Sequence, residues 1–150
     1  MTTPTIITPN SLIQKRENLI AEIKKSWSII SLNNVFPNGT TNKFDLAVVY
    51  KQINDNEQEL IKTKVAMQAI NMGFKKLSDI PEGNSYFSIF LLSQVKERMV
   101  KLKMIPTKKE EGESVSFTRQ FIDTEIKKLE LAKIDIEKEL VTFNTTQFEM

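Results

Sequence analysis

A helical pattern that occurs twice constrains this chain more than any other feature of its sequence. The two copies lie 73 positions apart and align without a gap. The first copy contains Phe44, Val49, Ile53, Ile61, Met67, Ile70 and Asn71, and the second contains Phe117, Ile122, Ile126, Ile134, Leu140, Phe143 and Asn144. Each copy follows another helical stretch. The repeat therefore predicts two long amphipathic helices within a protein built of packed helical rods.

The composition favours one helical domain. A chain of 150 residues is typical of a single domain and is long enough to bury a sizeable core. Hydrophobic residues make up 40% of it and charged residues 27%, whereas there are only 4 Gly and 5 Pro. Because the residues that break helices are few, we expect an all-α fold.

The first helix is predicted from an apolar stripe that begins after Ser11. Ser11 and Gln14 have the spacing of a capping box. The stripe continues at helical spacing through Leu12, Leu19, Ile20, Ile23, Trp27 and Ile30. Trp27 lies on this stripe, so we expect it in the core rather than on a surface that stacks nucleic-acid bases. A breaker cluster at residues 36–42 ends the helix, and Asn42 can cap the next one.

The second helix carries a seven-residue repeat, which is typical of coiled-coil packing. Its apolar positions are Leu46, Ile53, Leu60, Met67 and Phe74. Asn56 and Thr63 occupy intervening positions of the same seam. Two interpretations stay open for them: polar residues that restrict the register with a specified partner, or residues on a solvent-exposed part of a long hairpin.

The second half of the chain repeats this plan. A break at residues 79–84 separates the halves, and the apolar residues 86–92 are dense enough to form the centre of the core. The start of this segment could instead be extended, because aromatic residues and Ile also favour strands. Pro106 stops the third helix, residues 106–116 form a charged crest, and Ser116 can cap the last helix. That helix has the seam Ile122, Ile126, Leu129, Ile136, Leu140 and Phe143.

These elements predict two sequence-related antiparallel hairpins, at residues 11–78 and 85–144. They form either a four-helix bundle or an elongated coiled-coil-like assembly. Residues 1–10 are expected to be an extended arm and residues 145–150 a tail. Residues 1–10 and 143–150 are expected to contact adjacent subunits and hold them together. The candidate partner-interface residues are Leu46, Ile53, Leu60, Met67, Phe74, Ile122, Leu129, Ile136, Phe143 and Phe148.

The residue types that carry out most catalysis are missing. Without His and Cys, the chain lacks the commonest general base, a thiol nucleophile and the usual zinc ligands. The four glycines are isolated, so no phosphate-binding loop is present. Residues 54–57 resemble the start of a calcium loop but lack its central Gly and its distal Glu. We therefore expect no enzyme activity, no cofactor and no metal site.

Charge and hydropathy leave two alternatives to a structural role. The net charge of +2 is small, and acidic residues accompany most of the four lysine pairs, which are Lys24-Lys25, Lys75-Lys76, Lys108-Lys109 and Lys127-Lys128. This pattern favours solvated helix faces over a nucleic-acid-binding module. A membrane-active protein would use residues 86–92, but the longest apolar run is too short for a membrane span. No signal peptide is recognisable.

Two resemblances bear on function. The motif Leu12-x3-Arg16-x2-Leu19, with Glu59-Leu60 and Ile70-Asn71, resembles the septicolysin-like helical proteins of bacteria, which implies a toxin; Phe74 stands where that family has a second Asn. The segment Ile136-Glu137-Lys138-Glu139-Leu140-x2-Phe143-Asn144 is similar to small helical proteins of tailed bacteriophages. This second resemblance implies a virion component. We therefore expect a structural subunit, in the virion or the host cytoplasm, whose partners are further copies or phage structural proteins, not nucleic acid or membrane.

Overall fold

The described part of the chain contains four α-helices and one short two-stranded sheet. The computed structural model describes residues 8–73 and 86–147, with side chains as far as residue 141. The elements are α1 (Pro9–Asn33), β1 (Val35–Pro37), α2 (Leu46–Asn71), α3 (Tyr86–Lys103), β2 (Glu113–Val115) and α4 (Arg119–Gln147). The predicted all-α class is confirmed. Helix α4 continues through residues 145–147 of the predicted tail, and Phe74 and Phe148 lie outside the described residues.

Helix α1 begins three residues before the predicted start. Its N-cap is Thr8, whose hydroxyl accepts a hydrogen bond from the Ser11 backbone, while the Ser11 hydroxyl accepts one from the Thr8 backbone. The capping box predicted from Ser11 to Gln14 was therefore wrong by one turn. Pro9 explains the shift, because proline is favoured at the first helical position. The end of the predicted extended arm is thus helical.

Helices α2 and α4 begin at equivalent positions of the repeat. Asp45 caps α2 through its carboxylate, and the Thr118 hydroxyl accepts a hydrogen bond from the backbone of Phe121 at the start of α4. The predicted caps, Asn42 and Ser116, were wrong. Their side chains bond to each other instead, with Asn42 Nδ2 donating to Ser116 Oγ at 2.7 Å. The two helix starts are thereby tied together.

The short strands β1 and β2 were not predicted. They pair antiparallel, with Val35 opposite Val115 and Pro37 opposite Glu113. Beyond Pro37 the ribbon is extended by one hydrogen bond from the Asn38 backbone to the carbonyl of Gly112, at 2.8 Å. Each strand lies in a segment that was interpreted as a breaker cluster or a charged crest. Three residues are too few for an alternating pattern to be visible.

The helices pair as two antiparallel hairpins. Helix α1 packs along α2, helix α3 packs along α4, and α2 also contacts α3. Two contacts show that α1 and α2 are antiparallel. Lys15, early in α1, binds Glu59 in the second half of α2, whereas Trp27, late in α1, packs on Tyr50 near the start of α2. The connection from α1 to α2 contains β1 and the connection from α3 to α4 contains β2. Because β1 and β2 pair, both connections lie at one end of the molecule, which we call the strand end.

The core is concentrated at the strand end. Its buried members are Ile23, Trp27, Ile30, Leu46, Val49, Ile53, Leu60, Leu102, Ile105, Phe117, Ile122 and Ile126. The prediction that residues 86–92 form the core centre was wrong: they are helical, but Phe87 is 46% exposed and Ile89 is 44% exposed. The reason is their position at the start of α3, at the end of the hairpin opposite the strands.

The polar seam residues of α2 are not solvent-exposed. Thr63 is buried and its hydroxyl donates to the carbonyl of Glu59 at 2.7 Å, so its polar group is satisfied within its own helix. Asn56 is half-buried. The interpretation of both as part of an exposed stretch was wrong. None of the described helices has the length and apolar character needed to cross a membrane.

Candidate interaction surfaces

Half of the predicted interface residues are buried by the chain itself. Those with less than a tenth of their surface exposed are Leu46, Ile53, Leu60, Ile122 and Ile136. Met67 and Leu129 are half-buried, whereas Phe143 lies in α4 beyond the described side chains. The apolar seam of α2 is thus largely filled from within the chain, and other surfaces have to be considered for contacts with partners.

A buried asparagine connects the two hairpins at the strand end. The Asn34 side-chain nitrogen donates to the carbonyls of Pro106 at 2.7 Å and of Phe117 at 3.0 Å. Its side-chain oxygen accepts a hydrogen bond from the Phe117 backbone at 2.6 Å. The side-chain amide therefore pairs with the Phe117 peptide groups as a neighbouring strand would. The Asn34 side chain thereby adds one more pair of backbone-like hydrogen bonds at the end of the two-stranded sheet.

An ion pair joins α2 to α3. Arg98 Nη2 lies 2.8 Å from Glu57 Oε2, and Arg98 Nε lies 3.2 Å from Glu57 Oε1, so the contact is bidentate. The two side chains are only 12% and 6% exposed. Burial raises the pKa of Glu57, and the Arg98 guanidinium opposes that shift. Arg98 also donates to the side-chain oxygen of Asn54 at 3.0 Å, which fixes the guanidinium plane.

Tyr50 contacts residues from each of the other three helices. Its ring centroid lies 6.0 Å from that of Trp27 on α1, and the Arg98 guanidinium of α3 lies 5.5 Å from the ring centre. Its hydroxyl donates to Glu125 Oε2 of α4 at 3.3 Å. Burial, aided by Glu125 and opposed by Arg98, raises the pKa of Tyr50 to about 12. Tyr50 therefore stays neutral wherever the protein functions near neutral pH.

This polar cluster is arranged for holding helices together. Both carboxylate oxygens of Glu57 are bonded to Arg98, so the carboxylate is not free to accept a substrate proton. In the described part of the chain, every buried side-chain nitrogen and oxygen has a hydrogen-bond partner. Within the same residues no group of three or more acidic side chains is placed to hold a metal ion.

A groove with a basic rim lies between α1, α2 and α3. We call it the lysine groove; its lining is Ile20, Ile23, Lys24, Trp27, Leu60, Lys64, Gln94, Glu97 and Lys101. Trp27 and Leu60 are buried and form an apolar floor. The cavity measures about 220 Å³, below the roughly 300–1,000 Å³ typical of sites for drug-sized ligands. It has room for a few side chains rather than for a large cofactor.

Helix α4 presents a row of exposed apolar side chains on the side away from the core. Leu131 and Val141 are each 64% exposed, and Ile134 is 47% exposed. Glu130, Asp135 and Glu137 flank them and are exposed as well. We call the three apolar residues and their acidic flanks the outer stripe. Their spacing places them on one face of the helix.

Two positions of the outer stripe have covered counterparts on α2. Ile61, which matches Ile134, is completely buried, and Glu57, which matches Glu130, is bonded to Arg98 of α3. Among the described residues Glu130 has no ion-pair partner. Ile134 and Glu130 thus lie open at two positions that are covered in the first hairpin, whereas Leu131 and Val141 match Gln58 and Gln68 and are apolar only in the second. Matching the copies by sequence paired Ile134 with Ile61, but only the structure shows that Ile134 is uncovered.

Comparisons of the chain with models of protein families, with curated proteins and with solved structures found no match.

Proposed function

We propose that this protein is a non-enzymatic structural subunit of a larger protein assembly, and that the outer stripe of α4 is one of its contact surfaces. The difference between Ile61 and Ile134 carries the proposal, since Ile134 lies in solvent beside the exposed Leu131 whereas the matching Ile61 is buried. Contiguous exposed apolar side chains flanked by polar ones are typical of protein interaction sites.

The size of the outer stripe indicates that it does not act alone. Complete burial of a large aliphatic side chain contributes about 1.5–3 kcal/mol, so covering these three partly exposed residues contributes roughly 3–5 kcal/mol. Association costs about 4–15 kcal/mol in lost translational and rotational freedom. A stable contact therefore needs further apolar or charged groups, both next to the outer stripe and on the surface of its partner.

A bacteriophage particle is the assembly that we propose first. The support for it is the resemblance of residues 136–144 to helical proteins of tailed phages. This segment includes Val141 of the outer stripe and lies in α4. The proposal accordingly places the phage-like segment at the surface where contacts are made.

The proposal is tested by the mass of the protein in solution and in material from its natural source. Light scattering on the purified chain, and size-exclusion analysis of the tagged chain in a source extract, should give a defined particle larger than the 17.3 kDa of one chain. Chemical cross-linking should then recover the same neighbours in a fixed ratio. A folded chain that runs as a monomer in both samples would contradict the proposal.

The exposed start of α3 favours one second candidate, a membrane-active protein. Phe87 and Ile89 are each nearly half exposed, as an interfacial helix requires. This candidate predicts that the chain sediments with lipid vesicles and that replacing both residues by Ser abolishes the binding. Vesicles that leave the chain in the supernatant would remove this candidate.

A further inference from the structure

We infer that the outer stripe of one molecule docks into the lysine groove of a second copy of the same chain. This inference rests on the proposed function and names the partner of the outer stripe. Each molecule has one groove and one stripe on different helices, so the contact joins two different surfaces and is repeated from copy to copy. The argument depends on charge, on apolar fit and on the repeat.

The charges of the two surfaces are opposite. Lys24, Lys64 and Lys101 come from three different helices and surround the groove, where Glu97 is the one acidic lining residue. In α4, residues 130–139 contain four carboxylates and two lysines. Lys133 and Glu137 pair with each other within the helix at 3.7 Å, so this pair adds no net charge to the outer stripe. Opposite potentials across a contact favour encounter and fix its register.

The apolar parts also correspond. The groove has a floor that includes Trp27 and Leu60, and its volume accommodates a few aliphatic side chains. Leu131 and Ile134 are three positions apart on one face of a helix, which is the pattern of anchors with which a helix enters a groove. Covering Ile20, which lines the groove and is 42% exposed, adds the apolar contact that the outer stripe lacks on its own.

Contact between two outer stripes is disfavoured by the same charges. A symmetric pairing would bring Glu130 and Asp135 of one copy towards the same carboxylates of the other. Like charges facing each other across an interface are strongly unfavourable. The lysine groove supplies the opposite charge, so the outer stripe of a second copy binds more favourably in the groove than against another outer stripe.

The repeat provides a precedent for such a contact within one chain. On α2, Ile61 at the position of Ile134 is buried, and Glu57 at the position of Glu130 receives a cation from α3. In the second hairpin the matching Glu130 would receive a groove lysine of another copy. The intramolecular contact between hairpins and the intermolecular one would then share these two positions of the repeat. Contacts of this kind between unlike surfaces close into rings or continue as filaments.

The experiment exchanges the charges of the two surfaces. One variant carries Lys24→Glu, Lys64→Glu and Lys101→Glu in the groove, and another carries Glu130→Lys, Asp135→Lys and Glu137→Lys in the outer stripe. The wild-type mass in light scattering should rise with concentration. Each variant alone should associate at least about a hundredfold more weakly, because facing like charges cost several kcal/mol and about 1.4 kcal/mol corresponds to a factor of ten.

Mixing the two variants in equal amounts should restore association, since the altered groove then meets the altered stripe and the intact groove meets the intact stripe. A control with Lys51→Glu, Lys103→Glu and Lys108→Glu makes the same change of net charge outside the groove and should associate like the wild type. These three lysines are exposed and do not line the groove.

A single exposed substitution tests the apolar contact without threatening the fold. Leu131→Asp should abolish association, whereas Leu32→Asp, at an 81% exposed leucine near the strand end, should not. Circular dichroism should show unchanged helix content in both. Trp27, the one tryptophan of the chain, lines the groove, and its emission should change on association of the wild type but not of Leu131→Asp.

Failure of the inference is distinguishable from failure of the proposed function. A wild type that stays monomeric on its own but enters a defined complex with other proteins overturns the inference and leaves the proposed function intact. Self-association that is unchanged by both charge reversals likewise overturns the inference alone. A monomer that enters no complex contradicts both.

Discussion

The polar residues that connect the hairpins act through contacts that apolar side chains could not make. Asn34 forms three hydrogen bonds with backbone groups 72 and 83 positions away. Arg98 binds Glu57 across 41 positions. Neither contact could be predicted from the sequence, because the position of a single Asn or Arg along a helix does not indicate which distant residue it contacts.

Replacing Asn34 by Asp should lower the free energy of unfolding by about 1–3 kcal/mol, because the buried carbonyl of Phe117 loses its donor. Loss of the donor to the partly buried carbonyl of Pro106 adds to this effect. Urea denaturation followed by Trp27 fluorescence measures this loss. Asn18→Asp makes the same chemical change at an exposed position of α1 and should stay within about 0.5 kcal/mol of the wild type. Equal effects of the two substitutions would show that Asn34 does not hold the hairpins together.

Arg98→Met should destabilise the protein by about 3–5 kcal/mol at neutral pH, since it leaves the buried Glu57 carboxylate without its counterion. Burial already raises the pKa of Glu57, and loss of the guanidinium raises it further. The folded variant then binds a proton more readily than the unfolded chain. Its stability is fully present below the pKa of unfolded Glu and is lost as pH rises through the folded pKa.

Denaturation series over the acidic-to-neutral pH range measure how the stability of Arg98→Met depends on pH. The double variant Glu57→Gln, Arg98→Met should lack it, because the titrating group is gone. Arg119→Met serves as the exposed control: Arg119 pairs with Asp123 at 3.3 Å with both side chains about 60% exposed. Its loss should cost no more than about 1 kcal/mol. A pH-independent Arg98→Met variant would contradict the assigned cause.

At the level of elements, the sequence predicted the helices well and their ends poorly. The apolar period located α1, α2, α3 and α4, since each has buried apolar residues at helical spacing. The caps were misplaced because Ser, Thr, Asn and Asp are frequent near each helix start, and the choice among them is made by local backbone geometry. The strands were missed because three-residue elements are held by their partners rather than by their own pattern.

The equivalent caps of α2 and α4 provide a prediction at this scale. Asp45→Ala and Thr118→Ala should each lower the free energy of unfolding by about 1 kcal/mol, because each leaves a helix start without its side-chain acceptor. The exposed mid-helix change Asp55→Ala is the matched control and should be nearly neutral. Thermal denaturation of the three variants compares them. A cap variant as stable as the control would show that water replaces that cap at no cost.

Across the whole molecule, Tyr50 lies where the four helices meet. Because burial raises its pKa to about 12, the phenol is neutral in the folded state at pH values where it would ionise in the unfolded chain. The associated stability is fully present below the ordinary pKa near 10 and is lost as pH rises through about 12. Alkaline unfolding should therefore be partly controlled by this one residue.

Tyr50→Phe should flatten the decline of stability above pH 10, where the wild-type phenol begins to favour the unfolded state. The chain has two tyrosines, so Tyr86→Phe is the natural control and should retain the wild-type decline. Urea denaturation at a series of alkaline pH values, followed by Trp27 emission, gives both curves. A decline of equal steepness in all three proteins would assign alkaline unfolding to other groups.

The two-stranded ribbon at the strand end has a consequence for how the chain folds. Helices within a hairpin are neighbours in sequence, whereas Asn34 and Phe117 must meet across 83 positions. The entropy lost on closing a loop grows with its length, and long-range contacts slow folding. We therefore expect each hairpin to form early and the ribbon to close last. Until it closes, the apolar sides that later face each other are open to solvent, and that interval is when a newly made chain is most exposed to incorrect pairing with another.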